Sequence, residues 1–283
     1  MAIIDFRMKA PIPKWEKLFE DAKDVVKDYH QLRNVEPIPS NSLEEVIEEL
    51  DSHDIAYAVI MGRGNEPGSS NEELADFLRS PASERFVGFI GVDTPDVEEA
   101  VRTIETFAAT GLFRGVAINA SVLQPHLPVG DVSWDPIFET CVKHKLPLAL
   151  TLSVFLGLTG PRQNYDFVRP SQLYRAAKAY PELNFIISHG AWPLVGEAIG
   201  VASYAPNIYI LPDLFVRFPE GDKYLEAANF HLSGQVLYGS NYPNVPYSFT
   251  LDKVKSFQWD EAAYRKFVYE NAAKLLGLPS LSE

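Results

Sequence analysis

The polar residues that close the chain's short apolar runs are the ones able to do chemistry. In order they are Arg7 and Lys9, Arg63, Asp93, Asn119, Thr151 and Ser153, His189, Asp213, and Asn241. One imidazole among cations, amides and hydroxyls suits holding an anion and moving a proton, whereas a metal wants three or four convergent His, Asp, Glu or Cys ligands. Arg7 can clamp a carboxylate through two parallel hydrogen bonds, with Lys9 adding a point charge beside it. Equally, Arg7 can pair with Asp93 or Asp213, because an unpaired buried charge is costly, and Lys9 can snorkel toward the surface.

His189 ends the run NFIISH and is followed by Gly190, Ala191 and Trp192, which let backbone approach a ligand and supply an aromatic wall. An imidazole titrates near neutrality and is suited to proton transfer there. Asn241 lies in LYGSNYP, framed by Gly239, Ser240 and Pro243. Its amide donates and accepts hydrogen bonds but cannot neutralise a divalent ion or take a proton from metal-bound water. Thr151 and Ser153 have no base identifiable in the sequence, so a covalent intermediate is not expected. Asp5 reads as a tie for the first strand. His126 lies in a proline-rich loop, His144 reads as a solvated helix residue, and His30, His53 and His231 as surface or packing residues. The expected site is therefore His189, Asn241, Arg7 and Lys9 for chemistry, with Arg63, Asn119, Thr151, Ser153, Trp192, Asp213 and Tyr242 contacting substrate. No metal and no cofactor are expected.

The elements that must position these residues recur regularly. Eight short apolar runs, at 2–6, 55–61, 86–92, 113–119, 146–152, 184–189, 207–213 and 235–241, alternate with segments of helical periodicity such as SLEEVIEELDSH, DVEEAVRTIETFAAT and SQLYRAAKAYP. The runs are nearly continuous, as in parallel strands covered on both faces. Ser42 with Glu45, and Ser171 after Pro170, read as helix starts, and Gly111 and Pro181 as stops. Eight strand-then-helix units predict an α/β fold, a (β/α)8 TIM barrel, with chemistry at the C-terminal ends of the strands. No GxGxxG follows the first strand, which disfavours an open doubly wound sheet. Residues 10–40, with a helix from Lys14 to about Leu32, are expected to cap the mouth, within a single domain over 1–283. Long connections from Ala120 to Val132 and from Phe155 to Pro170 leave the same end, and FVYENAAKLLG is expected to form a terminal helix.

Composition excludes several classes. The net charge is −13, with 38 acidic against 25 basic residues and no basic block, so nucleic acid and polybasic membrane attachment are not expected. No apolar run reaches 18 residues and MAIIDFRM lacks a charged leader, so a cytoplasmic protein is expected. Cys141, the single cysteine, is expected in the core. The expected partner is a small carboxylate-bearing molecule, and a homodimer is compatible with the sequence.

The order AIIDFR, FRGVAIN, LPLALTL, FIISHGAWP, LYGSNYP and ENAAKLLGL resembles the amidohydrolase superfamily. The likeness is to the amidohydrolase-related group that includes aminocarboxymuconate-semialdehyde decarboxylase, resorcylate decarboxylases and pyrone-dicarboxylate lactonase. It spans nearly the whole chain. Such proteins open with IIDxHxH, and the resemblance matches their two metal histidines to Arg7 and Lys9 and their fifth-strand histidine to Thr151. It keeps the sixth-strand histidine as His189. The eighth-strand aspartate, ligand and general base in metal-dependent members, is matched by Asn241. The group also contains a metal-independent lactonase, which retains that aspartate. The resulting expectation is metal-free hydrolysis of a small carboxylated lactone or ester. The alternatives are a decarboxylase or isomerase of an aromatic or muconate-like acid, and a barrel that binds a small acid without turning it over. Asp93 or Asp213 close enough to orient His189 would favour an enzyme over a binder.

Overall fold

IIDFRM, Ile3–Met8, forms the first strand, β1, with all six residues buried. A strand hidden on both faces needs helices outside and packed side chains inside, and the rest of the chain supplies both. The computed structural model describes residues 1–9, 42–64, 70–121, 123, 128–153, 166 and 169–280. Strands β2 (Ile55–Met61), β3 (Phe86–Val92), β4 (Phe113–Ile118), β5 (Leu148–Thr151), β6 (Phe185–Ser188) and β7 (Ile208–Leu211) follow, all parallel and in sequence order. Inside, the Phe6 and Phe89 rings meet edge to face at 5.6 Å, and Gly115 leaves room for Phe89.

Among the described residues seven strands are formed where the sequence predicts eight. The eighth run, 235–241, with Tyr242 just after it, nevertheless closes the barrel, bridging β7 through Val236 and Ile210 and β1 through Tyr242 and Met8. Leu237 N–H donates to Ile210 O (2.9 Å), while Tyr238 O and Tyr242 O accept from Phe6 N–H (3.0 Å) and Lys9 N–H (2.8 Å), and Asn241 N–H donates to Arg7 O (2.9 Å). The ladder is broken because two of its amides go elsewhere. Tyr238 N–H donates to Phe267 O (3.0 Å), and Ser240 N–H to the Asp5 carboxylate (2.8 Å). The architecture is a (β/α)8-like barrel.

The helices between strands begin where capping chemistry allows. Ser42 accepts from Glu45 N–H at the start of α1 (Leu43–Ser52), Ser70 and Glu73 form a reciprocal box at α2 (Asn71–Leu78), and Asp96 caps α3 (Val97–Ala108). Helix α4 (Asp135–His144) buries Cys141, whose thiol burial pushes up to about 12, an inert packing group. Ser171 does not cap α5 (Leu173–Ala179). Pro170–Gln172 form a 3-10 turn, and the Ser171 N–H and hydroxyl both donate to Glu197 on α6 (Val195–Tyr204). Helices α7 (Asp222–Asn229), α8 (Tyr247–Ser256) and α9 (Glu261–Arg265) follow, and the last is continued by a π-turn, Lys266–Glu270, and α10 (Asn271–Leu276). The expected cap at 10–40, His30, His126 and most of the connection from Phe155 to Pro170 lie outside the described residues. Among those described, no helix is long and apolar enough to cross a membrane.

Asp5 is the pin of the closure. Fully buried, it accepts from Arg7 N–H (3.0 Å), Ser240 N–H (2.8 Å), the Ser240 hydroxyl (2.5 Å) and the Tyr247 hydroxyl (2.9 Å). Burial nevertheless pushes its carboxyl up from 3.8 to about 6, the four hydrogen bonds opposing. The folded state therefore holds this proton more tightly than the unfolded one. That stability is fully present below pH 3.8 and is lost as pH rises through about 6. Asp5→Asn keeps an acceptor oxygen and offers an amide donor to the two hydroxyls, so it should escape this loss. Relative to the native chain it should gain about 2–3 kcal/mol between pH 4 and pH 7 in urea melts. Asp5→Ala, which strands four buried donors, should lose about 2–4 kcal/mol at pH 7.

Candidate functional site

At the barrel mouth the ends of β1, β6 and β7 converge on one guanidinium. Arg7, buried, donates from one terminal nitrogen to the Ser188 hydroxyl (2.7 Å) and meets His189 Nε2 with the other (3.2 Å). Its Nε lies 3.6 Å from Asp213 Oδ2. That same carboxylate oxygen is 2.7 Å from His189 Nδ1. A guanidinium has only donors, so Nε2 must accept, and Nδ1 carries the proton that is donated to Asp213. Burial lowers the His189 pKa, the Arg7 charge lowers it further, and Asp213 opposes both. The imidazole is thus neutral at pH 7, and its contact with Asp213 is a hydrogen bond rather than an ion pair. Burial brings Arg7 down to about 10, so it stays a cation.

Strand alternation would send Ser188 and His189 to opposite faces. Both reach Arg7 because His189 sits in a short turn past the end of β6 with φ +60°. Asp213 (φ +42°) and Asn241 (φ +66°) share this left-handed backbone at the ends of β7 and of the eighth run. Each such residue costs about 1–3 kcal/mol, a strain that clusters where side chains must be aimed. Gly190, next to His189, is also left-handed (φ +58°), and its carbonyl accepts from the Tyr224 hydroxyl (2.9 Å).

The predicted residues separate into those the structure brings together and those it does not. Arg7, Arg63, Asp93, Asn119 and Thr151 line one depression, together with Met61, Ile118 and Ala149. Arg63 is partly buried and meets no acceptor or carboxylate among the described residues, and its charge also weighs on Arg7 and His189. Asn119 accepts from Ser121 (2.7 Å). The Asn241 amide has no hydrogen-bond partner among the described residues, while its backbone is held by Arg7. Lys9 is partly exposed beside the mouth. Ser153 turns away to the Trp192 carbonyl (3.4 Å). Trp192 lies flat on Phe215 (5.6 Å, 18°) with its indole N–H on Pro219 O, so it backs the site from outside. Tyr242 is fully buried and stacked on Tyr247 (4.9 Å, 12°), behind the wall rather than in the cup. His144 is not simply solvated, because its Nε2 meets Glu105 at 2.7 Å. Sequence reasoning missed Ser188, whose contact with Arg7 depends on the turn at His189, and the ring of Phe215 meets the His189 ring edge-on at 5.3 Å.

The donor set does not fit a divalent ion. Among the described residues no three His, Cys, Asp or Glu side chains converge, and the Nε2 lone pair that would face an ion already faces Arg7.

The amidohydrolase family model matches residues 37–278. A TIM-barrel protein of unassigned function from Bordetella bronchiseptica is 26% identical, with a TM-score of 0.86 over 98% of this chain and 99% of that one. A 5-carboxyvanillate decarboxylase from Sphingomonas paucimobilis superposes at 0.67 with 14% identity, covering 98% and 99%. A probable 2-pyrone-4,6-dicarboxylic acid hydrolase from Acinetobacter baumannii, solved with citric acid bound, superposes at 0.62 with 14% identity, covering 98% and 100%. At that identity the last two share the fold with this chain. No protein of curated function matches it by sequence.

A methyl group at Gly190 would lie 2.7 Å from the Tyr224 ring and hydroxyl, on a backbone that side chains rarely adopt. Gly190→Ala should therefore cost about 2–4 kcal/mol in a urea melt, strain and overlap together.

Proposed function

The chain belongs to the amidohydrolase family, and on that premise we propose that it is a metal-independent hydrolase of a small carboxylate-bearing lactone or ester. The observation that carries this reading is the chain Asp213, His189, Arg7, joined at 2.7 and 3.2 Å, beside Arg63, which meets no carboxylate among the described residues. Arg63 and Arg7 hold the substrate carboxylate, Arg by preference because its planar fork matches two oxygens. Asp213 fixes the tautomer of His189 that presents Nε2 as a base. Nε2 takes a proton from water as the water oxygen bonds to the carbonyl carbon. As the ester carbon–oxygen bond breaks, the imidazolium returns that proton to the leaving oxygen, and the enzyme ends unchanged. The cationic groups and the Asn241 amide supply donors for the oxyanion formed in between. The Asp213 to His189 distance is the feature that favours an enzyme over a passive binder.

A second reading, decarboxylation of an aromatic acid, draws on Phe215, whose ring meets His189 and is backed by Trp192 and Phe218. It needs the same cup, with His189 handling the proton that replaces CO2.

A thermal-shift screen of carboxylic acids, lactones, neutral sugars and nucleotides separates these from other classes. Stabilisation by acids and lactones is expected, and a response to sugars or nucleotides alone would redirect the assignment. With the substrate found, Arg63→Gln should raise KM about tenfold or more at unchanged Tm. His189→Ala should lower kcat about 10²- to 10⁴-fold with a small change in Tm. Near-native kcat/KM in the folded His189→Ala protein would remove the residue from the mechanism. Protein expressed with added zinc and manganese should carry well under about one metal per chain and keep its activity in chelator, unlike enzymes with a three- or four-ligand site.

A further inference from the structure

Arg7 holds His189 in a state in which it cannot act. The lone pair that a base must use, on Nε2, is occupied by a hydrogen bond from the guanidinium at 3.2 Å. A proton on Nε2 would break that bond and set an imidazolium against Arg7, with Arg63 nearby adding to the repulsion and Asp213 alone relieving it. With Arg7 in this place, the dyad of His189 and Asp213 has a correct tautomer and no open base.

A second observation shows that this place is not the only one for the guanidinium. Among the described residues, Arg7 Nε and Asp213 Oδ1 are both buried without a hydrogen-bond partner, although Nε stands 3.6 Å from the other oxygen of that carboxylate. Leaving complementary buried groups unpaired side by side is unfavourable for both. A small displacement of the guanidinium off His189, toward Asp213 or toward an arriving carboxylate, gives it acceptors with the planar fork geometry that arginine prefers. Arg63, at the same depression, is free among the described residues to share the incoming anion.

We propose that Arg7 is a carboxylate-operated cover on His189: an anionic substrate draws the guanidinium off Nε2, and only then is the base exposed. The inference rests on the reading of His189 as the proton acceptor. It makes Arg7 determine specificity through turnover as well as binding. A neutral analogue with an amide in place of the carboxylate can enter the cup but leaves the base covered, so it should lose kcat and not only affinity.

The test is nitrogen-15 NMR of the ring nitrogens in the full chain at pH 8, with benzoate, citrate and neutral benzamide as probes and calorimetry to score binding. In the native protein, benzoate or citrate should shift the His189 Nε2 resonance toward its position in ligand-free Arg7→Gln. Benzamide should not shift it, and Arg7→Gln should respond to none of the three. Identical Nε2 resonances in the native protein and folded Arg7→Gln would overturn the proposal, as would an acid that binds without moving the signal. If Arg7→Gln does not fold, the titration of the native protein decides alone. Failure of both acids to bind would instead sink the anion-cup reading of the previous section, and this inference with it.

Discussion

One buried carboxylate ties the beginning of the barrel to its end. Asp5 takes two backbone amides and two hydroxyls, from Arg7, Ser240 and Tyr247, and so does with a side chain what a further pair of ladder bonds would have done. The site depends on that join. Arg7 follows Asp5 by two residues and Asn241 follows Ser240 by one, and their own backbones meet at 2.9 Å. Any slip between β1 and the eighth run would move the guanidinium off both His189 and Asp213.

The mouth contains its own electrostatic economy. A fold that in related enzymes of the resembled group gathers neutral and anionic ligands around an ion here brings a permanent cation, Arg7, against one imidazole and one carboxylate. Arg63 is in excess. The chain as a whole is strongly acidic at −13, but screening in physiological salt acts over about 8 Å, so an anion close to the mouth responds mainly to these nearby charges. The left-handed backbone at His189, Asp213 and Asn241 belongs to the same account. Three strained residues are held where β6, β7 and the eighth run end, and the surrounding backbone bonds offset their cost.

Much of this was legible in the sequence. Continuous apolar runs gave the strands, and the polar residue ending each run gave most of the cup, because a parallel strand in a closed barrel has only its C-terminal end free to present chemistry. Asp5 as a tie for the first strand and Cys141 as core were equally readable. What failed did so for local reasons. The eighth strand has strand sequence but loses its ladder to Asp5 and Phe267. Tyr242 is one residue past Asn241, and a stacking partner five residues on draws it behind the wall. The two readings of Arg7, ion pair or anion clamp, could not be separated in sequence, because the turn that brings Ser188, His189 and Asp213 around it is a matter of φ angles rather than residue type.

The separation between Asp5 and its partners has a consequence for how the protein is made. On the ribosome β1 is among the first of these segments to emerge, yet Ser240 and Tyr247 are 235 and 242 residues away. Until they are synthesised, Asp5 and Arg7 have a strand neighbour on one side only, and the carboxylate is without its far donors. Closing so long a loop is entropically slow. The half-built barrel therefore spends the rest of translation with an open, apolar first edge, the stage at which it most needs shielding from pairing with other nascent chains.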